Sequence, residues 1–276
     1  ADINDLNFAS LGKNYKKLKW DEIDYSALNP DSKDAIDWAQ VDLKKATKSD
    51  TFDMAAVDWT EINASKSAAK SYKAIDWANV SISSEVSDLL DYSKVNFKKF
   101  SPSSLADIND LNFETLGKNY KKLKWDEIDY SALNPDSKDA IDWAQVDLKK
   151  ATKSDSFDMA AVDWAEVNAS KSAAKSYKAI DWATEYISTE VAADLDFSKV
   201  DFKKLNLDNL EDINDLDFVN LGKNYKKLKW DEIDYSALSP DSKDAIDWAQ
   251  VDLKKATKSD TFDMAAVDWT ELNSSK

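Results

Sequence analysis

The chain has 276 residues, with 37 Lys and no Arg, 53 Asp plus Glu, and neither His nor Cys, for a net charge of −16. That inventory excludes disulfides, thiol nucleophiles, His- or Cys-based zinc sites, histidine general bases and arginine clamps for phosphate. An acidic surface disfavours nucleic acid and anionic membrane as partners, and no apolar run approaches the roughly 18 to 20 residues of a membrane span, so neither nucleic-acid binding nor membrane insertion is expected.

The chain opens on Ala1 rather than Met, which reads as a processed product or an excised fragment. ADINDLNF begins at Ala1 and again at Ala106, and EDINDLDF begins at Glu211, which sets a period of 105 residues. Residues 13–50 recur unchanged at 118–155, and 223–260 differ from them only in Ser239, where the earlier copies have Asn29 and Asn134. The expected organisation is repeat 1 over 1–105, repeat 2 over 106–210 and a truncated repeat 3 over 211–276, in one continuous solenoid.

A shorter rhythm lies inside the long one. Apolar residues fall at offsets 0, 2, 5, 7 and 10 in six stretches of the first repeat, starting at Ala1, Leu18, Ile36, Phe52, Ile75 and Leu90, with the Ile75 stretch imperfect at its last position, Glu85. Six stretches in 105 residues give a spacing of about 17 residues, with polar connectors such as NPDS, TKSD and SPSS between them. On a regular helix these offsets scatter around the axis, and on one strand they fall on both faces. A chain that turns a corner every five residues can point the first and third residue of each pentad inward every time.

The pentads that carry this most clearly are Ile36-Asp37-Trp38-Ala39-Gln40 with Val41-Asp42-Leu43-Lys44-Lys45, Leu90-Asp91-Tyr92-Ser93-Lys94 with Val95-Asn96-Phe97-Lys98-Lys99, and Leu195-Asp196-Phe197-Ser198-Lys199 with Val200-Asp201-Phe202-Lys203-Lys204. The pattern resembles the pentapeptide-repeat family, and the resemblance implies a right-handed, roughly square β-solenoid with about four pentads to a coil. This chain departs from that pattern in placing Ile, Val or Leu where the family has a small residue, and often Trp or Tyr at the centre. Such side chains would overfill a square coil at about 1–3 kcal/mol per site, so a wider coil is required. The expected fold is therefore all-β: a right-handed β-solenoid of about 17-residue coils with short helical connectors, one of them at Asn29-Pro30-Asp31-Ser32, where a capping residue precedes proline. The alternative is an α-solenoid of 35-residue helical hairpins. It is favoured by the scarcity of glycine (only Gly12, Gly117 and Gly222) and by Val86, Leu89, Leu90, Ser93 and Phe97 at helical spacing. Against it stands the abundance of Asp and Ser, which are poor helix-interior residues.

Tryptophan recurs in register at Trp20, Trp38, Trp59 and Trp77 and one period on, and these rings read as core rather than as a ligand-stacking row. Asp31, Asp34 and Asp37 raise calcium as a ligand, yet no calcium-loop motif accompanies them, and they read as caps and a solvated face. In KNYKKLKW, Lys13, Lys16, Lys17 and Lys19 surround Tyr15 and Leu18; with WDEIDY following at once, the basic cluster reads as a complement to neighbouring Asp-rich coils. Asn63-Ala64-Ser65, Asn168-Ala169-Ser170 and Asn273-Ser274-Ser275 fit the N-glycosylation acceptor pattern. No catalytic, cofactor-binding or metal-ligating residue is singled out, and no cofactor is assigned. The expected function is a non-enzymatic structural or adhesive tandem-repeat protein, a stiff acidic rod on a cell surface or outside the cell, whose partners are copies of itself or a cell-surface component. The alternative is an acidic binding module: a DNA mimic, as the family resemblance implies, or a calcium- or carbohydrate-dependent adhesin.

Overall fold

The computed structural model describes residues 3–274 of the chain. Contacts divide the chain into two compact units, Ala1–Asp142 and Trp143–Lys276, so the boundary falls inside the second 105-residue repeat. Among the described residues there is no sheet. The only strand pairing among them is two isolated parallel bridges, Ile82 with Leu105 and Ile187 with Leu210. The all-β expectation is overturned, and with it the β-coil that the pentapeptide resemblance implied: the elements are 3-10 and α-helices of three to seven residues.

The reason lies in the second residue of the pentad. In Ile23-Asp24-Tyr25-Ser26-Ala27, Ile23 is extended (φ −77°, ψ 130°) and the Asp24 carboxylate accepts the Ser26 backbone N–H at 3.0 Å. Residues Tyr25–Ala27 then form one 3-10 turn, after which Leu28 is extended again (φ −68°, ψ 126°). Met54–Ala56 is capped by Asp53 and followed by extended Val57; next Asp58 accepts the Glu61 N–H at 2.9 Å and caps Trp59–Ala64. In these pentads an extended residue and a capping residue lead into one helical turn that begins with a buried Tyr, Met or Trp, whereas Val41-Asp42-Leu43 makes the same turn with Leu43 at its start and no cap bond from Asp42. A spacing of two then five residues is what this unit produces, without any run of strand. Asp and Ser do not weaken such helices, because a helix of one turn has almost no interior and the N-cap is where these residues are preferred.

Hairpins of 35 residues are absent as well, since no described helix exceeds seven residues. Hydrogen bonds from coil to coil join residues 19 to 28 positions apart, as from Asp91 to Tyr72, Asp37 to Tyr15, Asn4 to Ala27, Tyr25 to Thr51, Asn224 to Phe197 and Thr51 to Ile23. A coil therefore takes up about 25 residues rather than 17, which means that the connectors NPDS and SPSS form turns of the same winding. Asn29 caps the helix Pro30–Asp34 through the Ser32 N–H at 2.8 Å, as the sequence predicts for that connector.

Two further features fit this unit. Gly12, Gly117 and Gly222, with φ of 48°, 48° and 51°, are the only described residues with positive φ. A side chain would meet nothing within 4 Å there, so the requirement is conformational rather than spatial. The other described turns are made at negative φ, many of them capped by Asp, Asn or Ser, which is why so few glycines suffice. The indole N–H of Trp20 donates to the Tyr15 carbonyl five residues back at 2.9 Å, and the same bond recurs from Trp59 to Met54, Trp77 to Tyr72 and Trp182 to Tyr177. The hydroxyl of Tyr25 likewise donates to the Trp20 carbonyl at 3.0 Å. Ring tips thus satisfy carbonyls that a one-turn helix leaves unpaired.

If the pentad is held by its cap, Asp58→Ala should destabilise the protein by about 1 kcal/mol, within the range of 0.5–2 known for cap loss, while Asp58→Asn should be close to neutral. Urea unfolding of the two variants checks this. Equal stability of the alanine variant and the parent would remove the cap from its place in the fold.

Candidate functional site

Of the tryptophans singled out from the sequence, Trp20, Trp38, Trp59 and Trp77 are at most 1% exposed, as are their second-repeat counterparts Trp125, Trp143 and Trp182, while Trp164 is 2% exposed. They stack on neighbouring rings, with Tyr15 5.8 Å from Trp20 and Tyr72 5.8 Å from Trp77, so they form the core and present no row to a ligand. Trp269 is the exception, at 46% exposed.

Asp31 and Asp34 lie on the helix Pro30–Asp34, and the Asp37 carboxylate accepts the Gln40 side-chain amide. Among the described residues no group of three or more acidic side chains is gathered as a metal site would require. In the lysine-rich segment, Lys19 pairs with Glu22 at 2.7 Å, and Lys124 with Glu127 and Lys229 with Glu232 do the same. These pairs are three residues apart within one segment, so for Lys19 and its counterparts the acidic partner lies in the adjoining WDE.

The N-glycosylation triplets are occupied otherwise. Asn63 donates from its side-chain amide to the Leu89 carbonyl at 2.8 Å and accepts the Tyr72 hydroxyl at 3.0 Å. Asn168 makes the equivalent bonds to Asp194 and Tyr177. A sugar on either amide nitrogen would break the link to the next coil. Ser275 of the third triplet lies outside the described residues.

What the repeats do bring together, copy after copy, is a set of polar clamps between coils. Asn109 donates to the Ala132 carbonyl at 2.9 Å and accepts the Asn134 N–H at 2.8 Å, and Asn4 and Asn214 hold the corresponding groups of their own coils. The hydroxyl of Tyr72 accepts the Asp91 N–H at 2.7 Å, as Tyr177 does from Asp196. The Glu61 carboxylate accepts the Trp38 N–H at 2.9 Å, and Glu166 and Glu271 accept from Trp143 and Trp248. Burial holds the Glu61 carboxyl above its usual range; the Trp38 bond opposes that shift, while the carboxylates of Asp37 and Asp58 add to it. Nothing in a single copy marks Asn109 or Glu61 as a clamp, and their recurrence in register is the signal that carries them.

The strongest clamp is the asparagine of KNYKKLKW. Asn224 is fully buried and donates to the carbonyls of Phe197 at 2.8 Å and of Ser198 and Val200 at 3.1 Å, while Lys227 donates to its Oδ1 at 2.9 Å. Asn119 is similarly buried on Tyr92 and Ser93. Asn14, in the same local sequence, is exposed. Leu6, Leu11 and Leu18 around it are only half-buried, whereas Leu111, Leu116 and Leu123 are at most 2% exposed.

No protein-family model, no curated protein and no solved structure matches the chain. The pentapeptide resemblance thus rests on the residue pattern alone, and the geometry of the coil departs from it.

Two outcomes test these clamps. Asn224→Ala removes a buried donor from three carbonyls and should cost about 1–3 kcal/mol, whereas Asn14→Ala should stay within about 0.5 kcal/mol of the parent. Thermal melts of the two variants should therefore separate clearly. The second outcome concerns pH. Burial pushes the phenols of Tyr72 and Tyr92 up to about 12 and raises Tyr25, Tyr130 and Tyr235 further. A phenol with its folded pKa above the unfolded value of about 10 stabilises the fold below pH 10 and loses that contribution as pH rises through the folded pKa. Stability should thus fall steeply above about pH 10, with phenolate absorbance rising together with loss of helical circular dichroism. Phenolate formed near pH 10 with the helical signal intact would contradict the burial.

Proposed function

We propose that the chain is a non-enzymatic structural or adhesive tandem-repeat protein, an acidic array in which each 105-residue unit adds length and presents the same face again. One observation carries this reading above the others. The side chains whose chemistry would first be examined for catalysis or binding, namely Glu61, Tyr72, Asn109 and Asn224, are all engaged in hydrogen bonds that join one coil to the next. Their counterparts do the same in other copies, as with Glu166, Tyr177 and Asn214. Polar groups spent in this way hold the winding in register and leave the exposed surface to charge, which at −16 favours solubility and discourages indiscriminate association.

An extracellular or cell-surface setting belongs to the same proposal, with copies of the chain or a surface component as partners. It is supported by the repetition, since multivalent display gains from each copy.

Small-angle X-ray scattering of this chain beside longer chains carrying one and two further 105-residue units tests the mechanical part. The maximum dimension should grow by an equal step with each unit, as for a stiff rod. Growth that falls away with each addition would overturn it. Melting in the presence of calcium is the second arm: a rise in melting temperature would replace this reading with that of a calcium-dependent adhesin.

A further inference from the structure

Charge is not spread evenly around the winding. In the unit Trp143–Lys276 a groove crosses three successive coils and takes Lys178 from the first, Lys199 from the second, and Lys223 and Lys227 from the third, against a single acid, Asp201. Lys199 is held by Asp196, and Lys227 donates to Asn224. Lys178 and Lys223 are exposed and form no ion pair among the described residues. The same four positions in the unit Ala1–Asp142 are Lys73, Lys94, Lys118 and Lys122, and the arrangement recurs: Lys94 pairs with Asp91, Lys122 donates to Asn119, and Lys73 and Lys118 are exposed without an ion pair.

The carboxylates gather on another side. Bonds from Asn209 to Ala183, from Asn214 to Ala237 and from Tyr235 to Thr261 mark a second row of stacked coils. It trails the lysine row by about 11 residues in a coil of about 25, as Asn209 trails Ser198 and Tyr235 trails Asn224, so the two rows lie on different sides of the winding. Asp208, Glu211, Asp212, Asp234 and Asp260 are exposed along it, and none of them forms an ion pair with lysine among the described residues. In the first repeat Asp107 and Asp50 hold the places of Asp212 and Asp260, whereas Ser103 and Ala106 stand where the second has Asp208 and Glu211, so divergence between the copies has added charge to this row.

We infer that the lysine row is a docking surface for the carboxylate row of a second copy of this chain, laid side by side. Both rows advance by the same coil, so the lysines of one copy and the carboxylates of another come into register coil after coil, which a partner of unrelated spacing would not achieve. Charges left unpaired within one chain are complementary between two, and such complementarity selects partner and register. The groove holds no aromatic ring on which a nucleotide base would stack and no Arg to clamp a phosphate. The net charge of −16 does not forbid the pairing, because repulsion between distant charges is screened beyond about 8 Å at physiological salt while the facing rows are in contact. A chain docked through its lysines still offers its carboxylates, so association is open-ended rather than closed in a dimer. The inference rests on the structural role proposed above and deepens it by naming the partner.

Sedimentation velocity of the full chain over a range of concentrations, at about 0.15 M and about 1 M salt, tests the docking. The sedimentation coefficient should rise with concentration at the lower salt and stay constant at the higher. Lys178→Glu with Lys223→Glu, and separately Asp208→Lys with Asp260→Lys, should each weaken association about tenfold or more, and mixing the two variant chains should restore it. Lys48→Glu with Lys153→Glu makes the same change in net charge beside Asp50 and Asp155, and should leave association intact. All of these side chains are exposed, so the variants should keep the parent's circular dichroism, which is checked first. A chain that does not associate, association indifferent to salt or to either reversal, or association lost on reversing Lys48 and Lys153 would overturn the assignment. So would a monomeric chain whose Lys178 and Lys223 instead retain a sulfated or carboxylated polysaccharide. X-ray scattering of the monomer keeps the two readings apart: a maximum dimension that still grows evenly with each added unit leaves the structural role standing where the docking has failed.

Discussion

The structure depends on one hydrogen bond repeated along the chain: a side-chain carboxylate or amide at the second position of the pentad accepts a backbone N–H two or three residues on, as Asp24 does from Ser26 and Asp58 from Glu61. It closes a single helical turn. An isolated turn of helix is unfavourable, because several dihedrals are fixed for one backbone bond. The cap adds a second bond, and the aromatic that opens the turn adds burial, so the two together offset a nucleation cost that neither would offset alone. Everything larger follows from chaining these turns through buried extended residues such as Ile23, Leu28 and Val57.

How much of this was legible in the sequence depends on which level is asked about. The 105-residue repeat, the five-residue corner, the inward first and third positions and the cap at Asn29 were all readable from residue types, because burial and proline placement act locally. The conformation between corners was not. Extended backbone suits an inward-pointing pair just as a capped turn does, and the alternation Ile-Asp-Trp satisfies both. The rule that disfavours Asp in helices concerns interiors, and Asp24, Asp53 and Asp58 are caps. The coil length was hidden for a related reason. Connectors such as TKSD carry few apolar residues yet still wind with the rest, as the bonds of Ser49 and Thr51 to the Ile23 carbonyl show.

The clamps were the least legible part. Asparagine, glutamate and tyrosine are expected on a soluble surface, and only comparison of copies separates Asn119 and Asn224, held on carbonyls of the preceding coil, from Asn14, which is exposed in the same sequence. The difference is one of neighbours, not of local preference. Burial of these groups is tolerated because each is satisfied, since a buried amide with its donors paired costs little and an unpaired one costs several times as much.

Clamps that recur from copy to copy also leave a question of identity during folding. A carbonyl meant for Asn119 is chemically no different from the one meant for Asn224, and pairing with the wrong copy would satisfy the same groups. What separates the two outcomes is the length of chain that must be closed. A native clamp spans about 25 residues, whereas one misplaced by a repeat spans about 80 or about 130, and the added loop entropy disfavours it by about 1–1.5 kcal/mol. That margin favours winding from each coil to its sequence neighbour. It is also small enough for neighbouring copies, or neighbouring molecules at high concentration, to exchange coils while still unfolded.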